Sequence, residues 1–331
     1  MKRSLIASTA ACLIIIAGTC VAGGSNYTIV PGSNPHFAGK VQEWAVPTPE
    51  FARDPAPAPD GSIFITVMYG NKIARFDPKT QLFKEWDLPR GARPHGLVVL
   101  ADGTVWYTGN GNGTVGHLDP DTGKVTEYKT RSGSDPHTLV GDGKGTIWFT
   151  MQNAGRVGKL DIATGKIVDF RMKGRPYGLA LDQRGYIWVC RMGADKLGRI
   201  DPNTGKISEF ATGQGSAPRR LATGPDGTLW VTLSGNDKLL HFDPVSGKII
   251  RDYDLPAGPQ GGPYAVTADS AGIIWVNEIN TDTVVRFDSV SSDMRVIDLP
   301  SDDVGIRKMV VDGAGNLWYM GSHNGHLGKI E

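Results

Sequence analysis

The chain has 331 residues, and its 35 lysines and arginines against 34 aspartates and glutamates give a formal net charge of +1. This balance excludes a nucleic-acid-binding protein that depends on bulk positive charge. Hydrophobic residues make up 40% of the chain, too many for a disordered protein, and 44 glycines with 21 prolines predict many short strands joined by turns.

The first residues have the pattern of a secretory signal peptide. Lys2 and Arg3 precede an apolar run over residues 5–17, and the small-x-small sequence Cys20-Val21-Ala22 follows. The run is too short for a membrane-spanning helix. We therefore predict a signal peptide over residues 1–22, a linker over residues 23–40, and a periplasmic or secreted mature protein without a membrane span. A buried N-terminal helix and a lipid anchor on Cys20 are the alternatives.

A repeat of about 42 residues organises the rest of the chain. Each repeat has an apolar strand with one aromatic residue near its centre, followed by two strands in which apolar and polar residues alternate. Tight turns with Pro and Gly separate the last two strands of most repeats. The aromatic positions are Phe64, Trp106, Trp148, Trp188, Trp230, Trp275 and Trp318.

The two ends of the repeat array complement each other. The seventh repeat ends at Glu331 without its last strand, whereas a lone copy of that strand, VQEWAVP over residues 41–47, precedes the first repeat. Pairing of this strand with the C-terminal strands would close a ring and leave no open sheet edge. The prediction is an all-β, seven-bladed β-propeller over residues 41–331, a single domain whose N-terminal strand closes the last blade. An open β-solenoid is the alternative.

A repeated Pro-x-x-apolar motif predicts a ring of polar side chains at one mouth of the channel. The motif begins twelve residues before the aromatic in most repeats, for example at Pro94 and Pro136. The first strand of each propeller blade lines the channel, so we expect the residue after the proline position to face it. These residues are Arg53, His95, His137, Tyr177, Arg219, Tyr264 and Arg307.

The charges near this mouth predict an anionic ligand, because guanidinium groups in a concave site attract carboxylates and phosphates. The carboxylates at comparable places are Asp54, Asp135 and Glu278. The candidate substrate-binding residues are Arg53, Arg219, Arg307, Arg93, Arg175 and Arg191. The expected partner is an anionic small molecule or oligosaccharide, not a nucleic acid, and the protein is expected to be a monomer.

The remaining mouth residues have side chains that can accept or donate a proton. The surrounding cations should keep His95 and His137 neutral near pH 7, as a general base requires. Glu278 is either a salt-bridge partner or an acid–base group. The candidate catalytic residues are His137, His95, Tyr264, Tyr177 and Glu278.

The blades resemble the virginiamycin B lyase (streptogramin lyase) family over nearly the whole mature chain. The resemblance rests on the PHGL and PYGL motifs, the IWFT-like and KLGRID-like strands and the TGKISEF-like tail. It implies a seven-bladed propeller. Family members with lyase activity open a cyclic depsipeptide at its ester by β-elimination, with His residues on adjacent blades and a magnesium ion held by carboxylates.

The family pattern places one magnesium carboxylate two residues before the base His and the other three residues after the Trp of that blade. His95 and His137 are Pro-His residues on adjacent blades, and Asp135 precedes His137 by two residues. The resemblance therefore implies Mg²⁺ as a cofactor with Asp135 as a ligand. Met151 holds the second carboxylate position.

Three functions are compatible with these observations. The favoured one is an exported C–O lyase that acts by β-elimination on an anionic or ester-containing substrate, with His137 or a Tyr as base and arginines stabilising the developing enolate. The second is a non-catalytic periplasmic propeller that binds a ligand or a protein. A metal-dependent lactonase is least favoured, because this mouth lacks the several acidic and amide ligands it would need.

Overall fold

The computed structural model describes residues 40–331, which form seven four-stranded antiparallel sheets. Each sheet is one blade of a propeller, so the predicted all-β, seven-bladed fold is confirmed. The predicted signal peptide and all but the last residue of the predicted linker lie outside the described residues. No helix within residues 40–331 is long and apolar enough to cross a membrane.

In blades 1 to 6 the strands follow one another in chain order from the innermost to the outermost position. The closing strand is β1 (Val41–Ala45), and blade 1 contains β2 (Ala52–Pro57), β3 (Ile63–Val67), β4 (Lys72–Asp77) and β5 (Leu82–Asp87). Blade 2 contains β6 (Pro94–Val99), β7 (Val105–Gly109), β8 (Thr114–Leu118) and β9 (Val125–Lys129). Blade 3 contains β10 (Pro136–Gly141), β11 (Thr146–Met151), β12 (Arg156–Asp161) and β13 (Ile167–Arg171).

The remaining blades repeat this arrangement, with one short 3-10 helix (Gly258–Gln260) before blade 6. Blade 4 contains β14 (Pro176–Leu181), β15 (Ile187–Arg191), β16 (Lys196–Ile200) and β17 (Ile207–Ala211). Blade 5 contains β18 (Pro218–Thr223), β19 (Leu229–Leu233), β20 (Lys238–Asp243) and β21 (Lys248–Asp254). Blade 6 contains β22 (Pro263–Ala268), β23 (Ile273–Glu278), β24 (Thr283–Asp288) and β25 (Met294–Asp298). Blade 7 contains β26 (Ile306–Val311), β27 (Leu317–Gly321), β28 (His326–Ile330) and the closing strand β1.

The closing strand completes blade 7 as predicted. β1 pairs antiparallel with β28, from Val41 opposite Ile330 to Ala45 opposite His326. The Trp44 ring lies 5.8 Å from Trp318 in blade 7 and 4.9 Å from Phe76 in blade 1, measured between ring centroids. One side chain thus joins the first and last blades through apolar contact.

The core lies between neighbouring blades. Trp188 of blade 4, for example, is fully buried in a cluster with Leu229 and Phe242 of blade 5. Its indole Nε1 donates a hydrogen bond to Asp182 (3.0 Å), so the polar edge of this large ring is satisfied. Because each aromatic strand packs against the next blade, the repeat of about 42 residues fixes the angle between blades and keeps the inner strands around one channel.

Candidate functional site

Each inner strand begins with a β-bulge that re-aims the mouth residues. In blade 3, Pro136 pairs with Met151 and regular pairing resumes at Leu139, so His137 and Thr138 lie in the bulge. The same irregularity occurs in all seven inner strands within residues 40–331. A bulge bends a strand and changes the direction of its side chains. Each blade therefore presents a mouth residue in an equivalent position.

A hydroxyl from the second strand of one blade holds the bulge of the next. Thr108 Oγ1 donates to the carbonyl of His137 (2.7 Å), and Thr150 Oγ1 donates to that of Tyr177 (2.8 Å). Blade 4 has Cys190 at this position, a buried thiol whose pKa is raised by burial. Since the thiolate is the reactive form, this pKa makes Cys190 a poor nucleophile.

Three rings from blades 2, 3 and 4 lie side by side at the mouth, with His137 in contact with both His95 and Tyr177. The imidazole centroids of His95 and His137 are 3.6 Å apart, and the His137 ring lies 4.3 Å from that of Tyr177. Burial lowers the pKa of both histidines well below 6.5, and the charge of Arg53 lowers it further. Both imidazoles are therefore neutral at pH 7, in agreement with the expectation from the sequence.

An arc of arginines surrounds Tyr264 on the other side of the mouth. Arg219, Tyr264 and Arg307 come from blades 5, 6 and 7, and Arg53 continues the arc on blade 1. The guanidinium carbons of Arg219 and Arg307 lie 3.9 and 5.5 Å from the Tyr264 ring centroid. Burial alone would raise the pKa of the Tyr264 phenol, but the arginine charges outweigh it and place the pKa well below 10.

The hydroxyl groups of Tyr177 and Tyr264 form a hydrogen bond between blades 4 and 6. The two rings meet edge to face, with 6.1 Å between their centroids. When Tyr264 is ionised, its oxygen can only accept, so Tyr177 is the donor. The arginines and this hydrogen bond both favour a phenolate on Tyr264. The mouth therefore combines a phenol whose pKa is lowered with two neutral imidazoles.

These side chains line a cavity of about 200 Å³ at the channel mouth. The lining carries several cations and, among the described residues, no carboxylate. His95 is buried beside His137 and does not line the cavity. The lining residues are Phe51, Arg53, His137, Gln152, Arg175, Tyr177, Met192, Arg219, Tyr264 and Arg307.

The next residue of three inner strands forms a second charged layer in the channel. Asp54 is fully buried, and its Oδ2 lies 3.8 Å from Nη2 of Arg220. Lys308 Nζ donates to the carbonyl of Leu97 (2.8 Å), and burial lowers the pKa of Lys308 to about 8 against the opposing effect of Asp54. This layer links blades 1, 2, 5 and 7 beside the mouth ring.

A larger groove of about 530 Å³ lies between blades 1 and 2, at the opposite ends of the inner strands. Two of its carboxylates, those of Asp60 and Asp102, already have partners within the blades. Asp60 pairs with Arg75 (2.6 Å), and Asp102 accepts a hydrogen bond from the Thr104 hydroxyl (2.6 Å). The groove lacks the convergent cations of the mouth, so the mouth is the better candidate site.

Two of the arginines predicted to bind substrate are not among the residues that line the cavity. Arg191 donates through Nε to the carbonyl of Lys173 (2.7 Å) and forms an ion pair with Glu209 on the outer strand of its blade. Arg93 is exposed at the start of blade 2. Arg175 does line the cavity, and with the Gln152 amide oxygen turned towards it, Arg175 Nε donates to that oxygen (3.3 Å).

Glu278 also lies outside the cavity lining. Both of its carboxylate oxygens accept the backbone N–H of Ala257 (3.2 Å each), in the loop before blade 6. Burial raises the pKa of Glu278 to about 7, and nearby Asp237 adds to this effect. Of the two roles expected from the sequence, the structure shows no salt bridge for this carboxylate among the described residues.

Three cavity residues were not identified from the sequence. Phe51 lies two residues before Arg53, at the position that Arg175 holds in blade 4, and this alignment is a signal that could have identified it. Gln152 and Met192 lie in the turns that follow their second strands, two residues beyond the Thr or Cys position. Their types vary between blades, so the repeat alone does not single them out.

The carboxylates that the family pattern assigns to magnesium do not fit a metal site here. Both oxygens of Asp135 accept the backbone N–H of Asn153 (2.9 and 3.0 Å), and Met151 replaces the second carboxylate. Glu278 holds that second position in blade 6, but Gly262 stands where the first acid is needed. Within residues 40–331, no three His, Cys, Asp or Glu side chains group so as to hold a metal ion. This donor set does not support a magnesium-dependent step.

The fold and this mouth together define a seven-bladed β-propeller with a polar, cationic cavity at one end of its channel. The family model of the virginiamycin B lyase family matches residues 34–174 and 91–331. The chain therefore belongs to the virginiamycin B lyase family, which confirms the resemblance seen in the blade motifs. A comparison with curated proteins gave no match.

Solved structures with the same fold include several lyases. A structure described as a streptogramin B lyase is 27% identical, with a TM-score of 0.81 over 88% of this chain and 97% of that chain. Virginiamycin B lyase from Staphylococcus aureus is 23% identical, with a TM-score of 0.81 over 88% of this chain and 98% of that one. A catalytically inactive His-to-Ala variant of that enzyme, with quinupristin, is 24% identical, with a TM-score of 0.80 and the same coverage. At this level of identity, the last two similarities are evidence for the fold alone.

Proposed function

We propose that the protein is an exported C–O lyase that cleaves a carboxylate-bearing substrate by β-elimination at the channel mouth. The observation that carries the proposal is the environment of Tyr264, a buried phenol whose pKa is lowered by Arg219, Arg307 and Arg53. An inert channel lining gains nothing from an ionisable phenol among arginines, whereas proton abstraction next to a carboxylate needs both. The similarity to a streptogramin B lyase supports the same class of reaction.

Tyr264 is a better base than the histidines in this arrangement. The pKa values of His95 and His137 lie well below 6.5, so each imidazole is neutral but only weakly basic. The Tyr264 oxygen lies among the guanidinium groups of Arg219, Arg307 and Arg53, whose charges lower the pKa of the phenol and favour the phenolate that a base requires. We therefore assign the base to Tyr264, and the neutral His137 to hydrogen bonding with the substrate at the other wall of the cavity.

The elimination balances without water or a co-reactant. Tyr264 Oη takes the proton from the carbon next to the carboxylate, and an arginine stabilises the negative charge that develops on the carboxylate oxygens. The electron pair of the C–H bond becomes the C=C bond while the C–O bond breaks. The leaving oxygen then takes a proton from Tyr177 or from the newly protonated Tyr264. The two products together have the mass of the substrate.

The test is turnover by the mature protein, residues 23–331, with oligouronides and with a type B streptogramin. We expect new ultraviolet absorbance from a conjugated C=C bond with the oligouronides. Tyr264→Phe should lower the rate by at least about 100-fold, because it removes the base and keeps the ring. Tyr128→Phe is the matched control, since Tyr128 lies in outer strand β9 and should keep the wild-type rate. A Tyr264→Phe protein with wild-type activity would contradict the assignment.

A second candidate is a non-catalytic propeller that binds a small anion. The observation that favours it is the size of the cavity, about 200 Å³, which suits a small ligand held by guanidinium groups. A structure assigned to the extracellular domain of a one-component system from B. thetaiotaomicron shares the fold, at 14% identity and a TM-score of 0.70 over 89% of this chain and 43% of that chain. Saturable binding of uronates without turnover would favour this candidate.

Localisation in the periplasm or outside the cell, and a monomeric state, belong to the same proposal. The signal-peptide pattern over residues 1–22 supports export. Fractionation of cells that express the full chain tests the localisation, and size-exclusion chromatography with light scattering tests the monomer.

A further inference from the structure

The His137 ring is held in one orientation at the channel mouth. It lies between the rings of His95 and Tyr177, at centroid distances of 3.6 and 4.3 Å. Its Nδ1 lies 3.1 Å from Oγ1 of Thr138, the next residue of the bulge. The two neighbouring rings leave little room for the imidazole to turn. Because His137 lines the cavity, Nε2 is the ring nitrogen that remains for a ligand.

The Thr138 hydroxyl has a second partner, which comes from blade 5. Nη1 of Arg220 donates a hydrogen bond to Thr138 Oγ1 (3.3 Å). A guanidinium group can only donate, so the hydroxyl oxygen is the acceptor in this contact. Arg220 lies in turn beside Asp54 of blade 1, with 3.8 Å between its Nη2 and the Asp54 Oδ2. All three side chains are buried, so water competes little for these contacts.

These contacts decide where the hydroxyl proton of Thr138 points. Within residues 40–331, the hydrogen-bond partners of Oγ1 are Arg220 Nη1 and His137 Nδ1. Arg220 donates, so Nδ1 is the acceptor that the hydroxyl proton can reach. If Nδ1 carried a proton, both partners would donate to Oγ1 and the buried O–H group would have no acceptor, which costs free energy. Nδ1 therefore accepts the hydrogen bond and carries no proton.

The proton of the neutral His137 ring must then be on Nε2. Burial and the charge of Arg53 lower the pKa of His137 well below 6.5, so the ring is neutral at pH 7. His95 is followed by Gly96, which has no hydroxyl, and within the described residues its buried Nδ1 has no hydrogen-bond partner. The contact that selects one tautomer is therefore specific to His137 in this pair.

We propose that Thr138 and Arg220 are positioning residues that fix the proton of His137 on Nε2, where the N–H group donates a hydrogen bond to an oxygen atom of the ligand. Nε2 then has no lone pair with which to take a proton from carbon. The ligand group at this wall must be an acceptor, such as a carboxylate, carbonyl or glycosidic oxygen, and not an ammonium group. The bond to a substrate oxygen rests on the proposed lyase function, whereas the tautomer of the free protein does not.

Nuclear magnetic resonance of the free protein tests the tautomer. The mature protein with nitrogen-15-labelled histidine is measured at pH 7 through the couplings between the ring nitrogens and the carbon-bound ring protons. His137→Gln protein identifies the His137 signals. We expect the Nε2–H form to exceed the Nδ1–H form by at least about tenfold, because the latter leaves a buried hydroxyl without an acceptor. Comparable populations, a proton mainly on Nδ1, or protons on both nitrogens would overturn the proposal.

Thr138→Asp tests whether residue 138 selects the tautomer. A carboxylate at this position only accepts hydrogen bonds, and Arg220 gives it a counter-charge, so we expect a folded protein in which Nδ1 carries a proton. Thr138→Ser keeps the hydroxyl group, is the matched control and should retain the proton on Nε2. An unprotonated Nδ1 in folded Thr138→Asp protein would overturn the role of Thr138. If this variant does not fold, the wild-type spectrum still decides the tautomer.

The contribution of Arg220 is tested together with its buried counter-ion. Asp54→Asn/Arg220→Gln removes both charges, so no buried carboxylate is left without a cation. The new amide oxygen can accept the Thr138 hydroxyl proton, which allows Oγ1 to accept from Nδ1–H. We therefore expect the preference for Nε2–H to fall to less than about threefold. An unchanged preference in the folded double variant would show that Arg220 is not a positioning residue.

A titration with digalacturonate tests the donor role towards a ligand. Tyr264→Phe protein is used, because the proposed mechanism then gives no turnover. We expect the Nε2–H proton signal of His137 to move downfield as the site saturates, because the N–H group then donates to a ligand oxygen. Saturable binding without this change would overturn the donor role. Absence of binding at millimolar concentration would contradict the proposed substrate class, and the tautomer of the free protein would be judged from its own spectrum.

Discussion

The residue types at the channel mouth were predictable, but their contacts were not. A fixed offset from the blade aromatic identifies Tyr177 and Tyr264 as mouth residues. Their hydrogen bond joins positions 87 residues apart, and it depends on the bulges that re-aim both side chains. The lowered pKa of Tyr264 likewise depends on arginines from other blades. Sequence position therefore gives the candidates, and only the closed ring gives their charge states.

The histidine pair predicts a specific pH dependence of stability. The folded-state pKa values of His95 and His137 lie well below 6.5, so only the unfolded chain takes up these protons as the pH falls below about 6.5. Their stabilising effect is complete above that pH and is lost on acidification. Urea unfolding at pH 7 and pH 5 should show that His95→Gln/His137→Gln loses less stability than wild type, by on the order of 2 kcal/mol per histidine. An identical pH dependence in both proteins would contradict the neutral, buried state of the pair.

At the scale of strands, a large residue on the second strand of a blade is paired with a small residue on the third strand. The sizes of the two residues differ from blade to blade. Phe149 on β11 lies opposite Gly158 on β12, whereas blade 1 has Ile65 opposite Ala74. A Cβ atom added at Gly158 would overlap the Phe149 ring. The alternation of apolar and polar residues predicts both strands, but the reason for glycine in one of them appears only when the cross-strand neighbour is known.

This pairing can be tested with a double-mutant cycle. Gly158→Ala should destabilise the protein by about 2 kcal/mol, because the added methyl group overpacks the site against Phe149. The combination of Gly158→Ala with Phe149→Ile recreates the blade 1 pair and should lose at least about 1 kcal/mol less than the sum of the two single changes. Denaturant unfolding measures all three variants. Strict additivity would show that the two residues are not coupled.

At the scale of the whole molecule, the displaced N-terminal strand made the ring closure predictable from the sequence. The seventh repeat lacks its last strand, and residues 41–47 contain a lone copy of that strand. Pairing of β1 with β28 accounts for both observations. The chemistry was less predictable, because Met151 and Gly262 stand at positions where the family pattern for magnesium requires carboxylates. The fold follows from a pattern repeated seven times, whereas the site depends on single positions that differ between blades.

Ring closure predicts a large effect from one aromatic residue. Trp44→Ala should destabilise the propeller by about 2 to 3 kcal/mol, because it removes the contacts with Phe76 and Trp318 that join the first and last blades. Leu82→Ala, at an exposed position of β5 (67% exposed), is the control and should change stability by less than about 0.5 kcal/mol. Thermal and urea unfolding measure both. Equal stabilities of the two variants would contradict the role of β1 in closure.

The most direct test of the proposed chemistry is the isotopic content of the products. The mature protein and its Tyr264→Phe variant are incubated with oligogalacturonate in water labelled with oxygen-18, and the products are analysed by mass spectrometry and ultraviolet absorbance. The proposal predicts unsaturated products whose combined mass equals that of the substrate, without the label, and no reaction by the variant. Incorporation of labelled oxygen would show hydrolysis, and the absence of any turnover by folded wild-type protein would leave the propeller as a binding module. Either result would contradict a lyase at this mouth.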